Sequence, residues 1–62
     1  MNNLKERFNN LFANLPIPER KNPIYVDDKY GAMSWFIIKL EVDHDTELGL
    51  KALEFLNKTE TI

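Results

Sequence analysis

The densest set of reactive side chains in the sequence is Asp43-His44-Asp45-Thr46-Glu47. It combines carboxylates with the only histidine, and these are the residue types that ligate metals or move protons. Acids at alternate positions match the spacing of a calcium loop. The glycine that allows that loop its sharp turn and the distal bidentate glutamate are both missing. Helix capping accounts for the same acids. A side-chain oxygen just ahead of a helix accepts one of its unpaired N–H groups, and negative charge there complements the helix dipole. Asp45 is the first choice for that cap and Asp43 the second, so no metal is expected.

As a general base, His44 needs a nucleophile within hydrogen-bond reach. The only serine, Ser34, lies at the opposite end of the same apolar segment. If that segment is extended, strand rise separates the two by roughly 30 Å. Phosphate and dinucleotide loops need several glycines, and the chain has 2. With no cysteine, thiolate chemistry, cysteine-ligated zinc and disulfides are all excluded. No catalytic residue and no cofactor is expected, and the chain does not read as an enzyme.

A second grouping has a different chemistry. Tyr25 and Trp35 on one face of a hairpin could stack bases, with Arg20 and Lys21 reaching phosphate. The composition argues the other way, because 8 Lys and Arg face 10 Asp and Glu for a net charge of −2. Nucleic-acid binding is therefore the alternative reading.

These side chains must be positioned by one small α+β domain spanning residues 1–62. Leu4, Phe8, Leu11, Phe12 and Leu15 recur at helical spacing and predict a helix over about residues 3–15. Asn2 or Asn3 is placed to cap it, with Glu6 completing a capping box. Pro16 stops it by pushing Leu15 out of the α region. Residues 16–23 carry the chain's 3 prolines and predict a stiff connector pinned by Ile17. A hairpin is expected over about 24–43. Ile24 to Val26 forms its first strand, Asp28 to Gly31 its turn, and Ser34 to Asp43 a long second strand. A second helix is expected over about 45–58. The architecture is α-β-β-α, a hairpin flanked by N-terminal and C-terminal helices. The expected core comprises Leu4, Phe8, Leu11, Phe12, Leu15, Val26, Phe36, Ile38, Leu40, Val42, Leu48, Ala52, Phe55 and Leu56.

Two mismatches in this scheme point to function. Placing Ile24 opposite Trp35 leaves residues 38–42 without a partner strand. Unpaired strand backbone invites a second copy, which would make a four-stranded sheet across a homodimer with Lys39 and Glu41 at the seam. The C-terminal helix also carries an apolar arc of roughly 220°, wider than one neighbour needs, so Leu50 and Leu53 are expected to face a partner. Gly49, inside that arc, predicts close approach by another element, since glycine within a helix costs about 1 kcal/mol relative to alanine. The expected role is a small non-catalytic protein-interaction module, an adaptor, inhibitor or regulatory subunit, binding itself and another protein. The longest apolar run, Trp35 to Ile38, is far below the ~20 residues of a bilayer span. The N-terminal residues lack a signal peptide's apolar stretch, so the expected location is cytoplasmic with no membrane partner.

Overall fold

The apolar spacing of the first fifteen residues does produce a helix. In the computed structural model, which describes residues 3–62, α1 runs from Asn3 to Ala13. Asn2, one of the two cap candidates, lies outside the described residues. Phe8 and Phe12 are buried, while Leu4, Leu11 and Leu15 pack against the core from its margin. The proline-rich connector is not fully extended. Ile17–Lys21 winds into a short 3-10 turn with Pro18 in its first turn, where a missing N–H costs nothing. Ile17 points to solvent rather than pinning the connector.

The hairpin is short. β1 spans Pro23–Asp27 and β2 spans Gly31–Ser34, paired antiparallel with Asp27 opposite Gly31 and Val26 opposite Ala32. The register lies one residue away from the one expected. Gly31 takes φ +83°, which suits the left-handed position closing a three-residue turn. A bulge at Ile24 lets Pro23 pair with Ser34 while Tyr25 pairs with Met33. Tyr25, Asp27 and Met33 consequently face inward, and Val26, expected in the core, faces solvent.

The largest departure follows at once. Residues 35–43 are not strand: α2 runs from Trp35 to Asp43. Ser34 ends β2 and caps α2 without an intervening residue, its Oγ accepting from the Ile37 N–H at 3.3 Å. A run of mostly apolar residues satisfies both a two-residue and a 3.6-residue period. Here Trp35, Ile38 and Val42, at i, i+3 and i+7, are the buried set. The helix also bonds its own backbone, which a long second strand opposite a five-residue β1 could not do. The unpaired strand segment, and the four-stranded sheet drawn from it, therefore fall away. What stands is an α+β fold of α-β-β-α type with three helices.

α3 runs from Glu47 to Lys58 and packs chiefly on α2. Its cap is Thr46, not Asp45 or Asp43: Thr46 Oγ1 accepts from the Gly49 N–H at 3.0 Å. Asp45 instead makes the corner, with φ 55°. The expected tight crossing is present. A Cβ on Gly49 would lie 2.8 Å from both C and O of Glu41 and 2.9 Å from Val42 N. The core gathers Phe8, Phe12, Met33, Trp35, Ile38, Val42, Ala52, Leu53 and Leu56, with Trp35 stacked on Phe8 at 5.7 Å between ring centroids. Met33, Trp35 and Leu53 are additions to the expected core. Phe36, Leu40 and Phe55, expected inside, are substantially exposed.

Candidate protein-binding surface

The acidic cluster at the α2–α3 corner does structural work. Lys39 Nζ donates to Asp43 Oδ1 and to Asn9 Oδ1, both at 3.0 Å, tying α2 to α1. Lys5 Nζ meets Asp45 Oδ1 at 2.9 Å. His44 Nδ1 lies 2.8 Å from the Leu40 carbonyl, so it carries the proton and donates. Among the described residues, no three His, Cys, Asp or Glu side chains are grouped to hold a metal ion.

One buried carboxylate escaped the sequence reading. Asp27 is 2% exposed. Its Oδ2 accepts from the Lys29 and Tyr30 N–H groups at 2.9 and 3.1 Å. Its Oδ1 accepts from Tyr25 Oη at 3.1 Å and faces Lys51 Nζ at 3.3 Å. The backbone N–H of Lys29 leads the effects that hold its pKa below the ordinary carboxylate value, with Tyr30, Lys51 and Tyr25 adding to it against the opposing effect of burial. Lys51 is raised in turn by its own hydrogen bond to the Asp27 side chain, while burial, ahead of Asp27, raises the Tyr25 phenol. With four donors converging on it, this carboxylate organises the turn and joins β1 to α3. The available signal was an Asp two residues before a turn N–H, the Asx-turn pattern.

The four residues of the nucleic-acid reading are not brought together as a platform. Trp35 is a core residue. Tyr25 tilts against Phe55 with centroids 5.0 Å apart. The Arg20 guanidinium lies 4.6 Å from the centre of the Phe12 ring and donates to the Ala13 carbonyl at 3.5 Å, sealing the end of α1. Only Lys21 is free of such contacts and exposed.

The four residues named for partner binding also divide. Leu50 is 49% exposed on α3, but Leu53 is buried. Lys39 and Glu41 sit on a helix, not a strand edge. Lys39 is engaged as above, and Glu41 Oε1 accepts from Thr46 Oγ1 at 2.6 Å.

The surface that sequence reasoning missed is the outside of α2. Phe36 and Ile37 are each 45% exposed and Leu40 56%. At about 100° per residue, this set lies roughly opposite the buried set of Trp35, Ile38 and Val42. A helix that is apolar on both sides ordinarily has neighbours on both sides. Phe36 meets the Phe12 ring edge-on with centroids 5.9 Å apart. Beside Ile37, a groove of about 540 Å³ opens between β2 and the α2–α3 corner, with Tyr30, Met33, Leu48, Glu41 and Glu47 among its walls. No helix of the described residues is long and apolar enough to cross a membrane. Comparison with protein-family models, curated proteins and solved structures finds no match.

Proposed function

We propose that this chain is a small non-catalytic protein-interaction module that buries the outer face of α2 against another polypeptide, in the first instance a second copy of itself. The observation that carries this is the double-sided apolar character of α2. Phe36, Ile37 and Leu40 project outward while an equivalent set on the same nine-residue helix fills the core. Charge supports self-pairing. α2 packs against the 3-10 turn bearing Arg20 and Lys21 and ends at Asp43. A two-fold axis across α2 would set the helices antiparallel, the exposed Lys21 of each copy near the other's acidic end. A standard interface takes about 800 Å² per partner, close to a fifth of the 4253 Å² surface. The α2 face would therefore be the centre of a contact that also draws in its neighbours.

Sedimentation velocity from low micromolar to submillimolar protein tests this. The wild type is expected to shift to twice the monomer mass. Leu40→Lys, on an exposed side chain, is expected to remain monomeric and to melt as the wild type does at concentrations where it is monomeric. A wild type that stays monomeric throughout the range, or a Leu40→Lys variant that associates equally well, would remove the reading.

A further inference from the structure

Beyond self-pairing, and resting on the same interaction-module reading, we infer that the groove beside β2 takes an extended, basic and apolar segment of a partner protein as a third strand of the sheet. Three observations converge there. First, among the described residues the sheet has two strands, so alternate N–H and C=O groups of β2 point away from β1 with no described strand beyond them, and a two-stranded sheet is marginal alone. Second, the groove borders that free edge: Ala32 and Met33 both line it although Ala32 faces solvent and Met33 the core. Third, its lining combines two chemistries. Tyr30, Met33, Ile37 and Leu48 give it apolar walls, and Glu41 and Glu47 acidic ones. Neither glutamate has an ion-pair partner among the described residues.

A strand laid along β2 would gain main-chain hydrogen bonds from the edge and present side chains alternately to the groove and to solvent. Apolar residues at every second position would meet Ile37 and Leu48, and lysine or arginine between or beside them would meet Glu41 and Glu47. A second copy of this chain is the poorer occupant, because pairing β2 with its own mate across a two-fold would bring the two acidic walls together without a compensating cation.

The test is an NMR titration of the full chain with three short synthetic peptides. One alternates lysine and leucine, one alternates glutamate and leucine, and one is the lysine–leucine peptide N-methylated at alternate residues so that it cannot donate along one edge. The lysine–leucine peptide is expected to saturate, with amide shifts centred on residues 30–33, 37, 41, 47 and 48. The other two are expected to bind at least ten-fold more weakly. Glu47→Lys, an exposed change, is expected to weaken the first peptide about five-fold or more and leave self-association intact, since rim charges act mainly through local Coulomb terms. Leu40→Lys is expected to do the reverse. No saturable binding, shifts confined to Phe36 and Leu40, equal binding by the N-methylated peptide, or indifference to Glu47→Lys would each overturn strand addition. Self-association is read separately by sedimentation of the peptide-free protein, so failure of one reading is separable from failure of the other.

Discussion

Gly49→Ala adds a single methyl group at the point where α3 crosses α2. Its carbon would stand 2.8 Å from the Glu41 carbonyl carbon and oxygen and 2.9 Å from the Val42 nitrogen. Carbon contacts are comfortable at about 3.5–4.0 Å, so the two helices must part by several tenths of an ångström or more. The obstacle is backbone, and no rotamer change relieves it. The same Glu41 carbonyl accepts from the Thr46 N–H at 3.2 Å and the Thr46 hydroxyl at 3.3 Å. Parting the helices therefore also disturbs the residue that caps α3. Overpacking costs about 1–3 kcal/mol and a weakened cap about 1 kcal/mol. Against these stands the better helix propensity of alanine, at most about 1 kcal/mol and smaller in the first turn. The expected net loss is about 2 kcal/mol, or roughly 8–16 °C in a domain this small. At ~0.05–0.15 kcal/mol per residue the whole fold is worth roughly 3–9 kcal/mol, so the loss is readily seen. Urea and thermal melts followed by far-UV circular dichroism would measure it. Gly31→Ala is the control: nothing lies within 4 Å of a Cβ there, and φ is +83°. Its cost of about 1–2 kcal/mol is purely conformational, and Gly31→Asn should recover part of it. Gly49→Ala as stable as the wild type, or more so, would refute the crossing argument.

Two further substitutions discriminate between structural readings. Ile38→Ala should cost about 2–5 kcal/mol, whereas Phe36→Ala should cost only about 1 kcal/mol, because Phe36 already exposes half its surface. A long strand would make the two equal, and chemical denaturation of both variants decides it. Asp27→Asn should lower the melting temperature at neutral pH and flatten the acid limb of stability. The Asp27 carboxyl is held below its usual value, first by the Lys29 N–H. Its contribution is complete above the ordinary carboxylate range and is lost as pH falls through the lowered folded value. Melting curves taken from pH 7 down to pH 2 would show the wild type losing more stability than the variant, and parallel profiles would contradict the role given to Asp27.

The N-terminal and C-terminal helices were legible because each has one dominant apolar period, broken by Pro16 at one end and by polar residues at the other. Gly49 was legible for a stronger reason: an unfavourable residue inside a helix signals a backbone neighbour. The segment from Trp35 to Val42 misled because nearly every side chain is apolar, so strand and helix templates fit alike. The deciding signals were Ser34 as a cap and the brevity of the first strand, and both were present. The binding surface went with that segment, since Phe36 and Leu40 exchange the inside for the outside when the period changes from two to 3.6. Asp27 was hidden by its neighbour Asp28. Only the observed register, which puts Tyr25 and Asp27 on the same inward face, shows which of the two acids the turn uses.

Because Ser34 serves sheet and helix at once, the angular setting of α2 is locked to the Pro23–Ser34 pair. One residue inserted after Ser34 would rotate the helix by about 100°. The rotated helix would bring Ile37 and Glu41 to the places Ile38 and Val42 now fill, setting a carboxylate where the core needs an apolar side chain. The seam between β2 and α2 thus acts as an indexing pin, selecting which hydrophobic stripe the molecule shows to the outside.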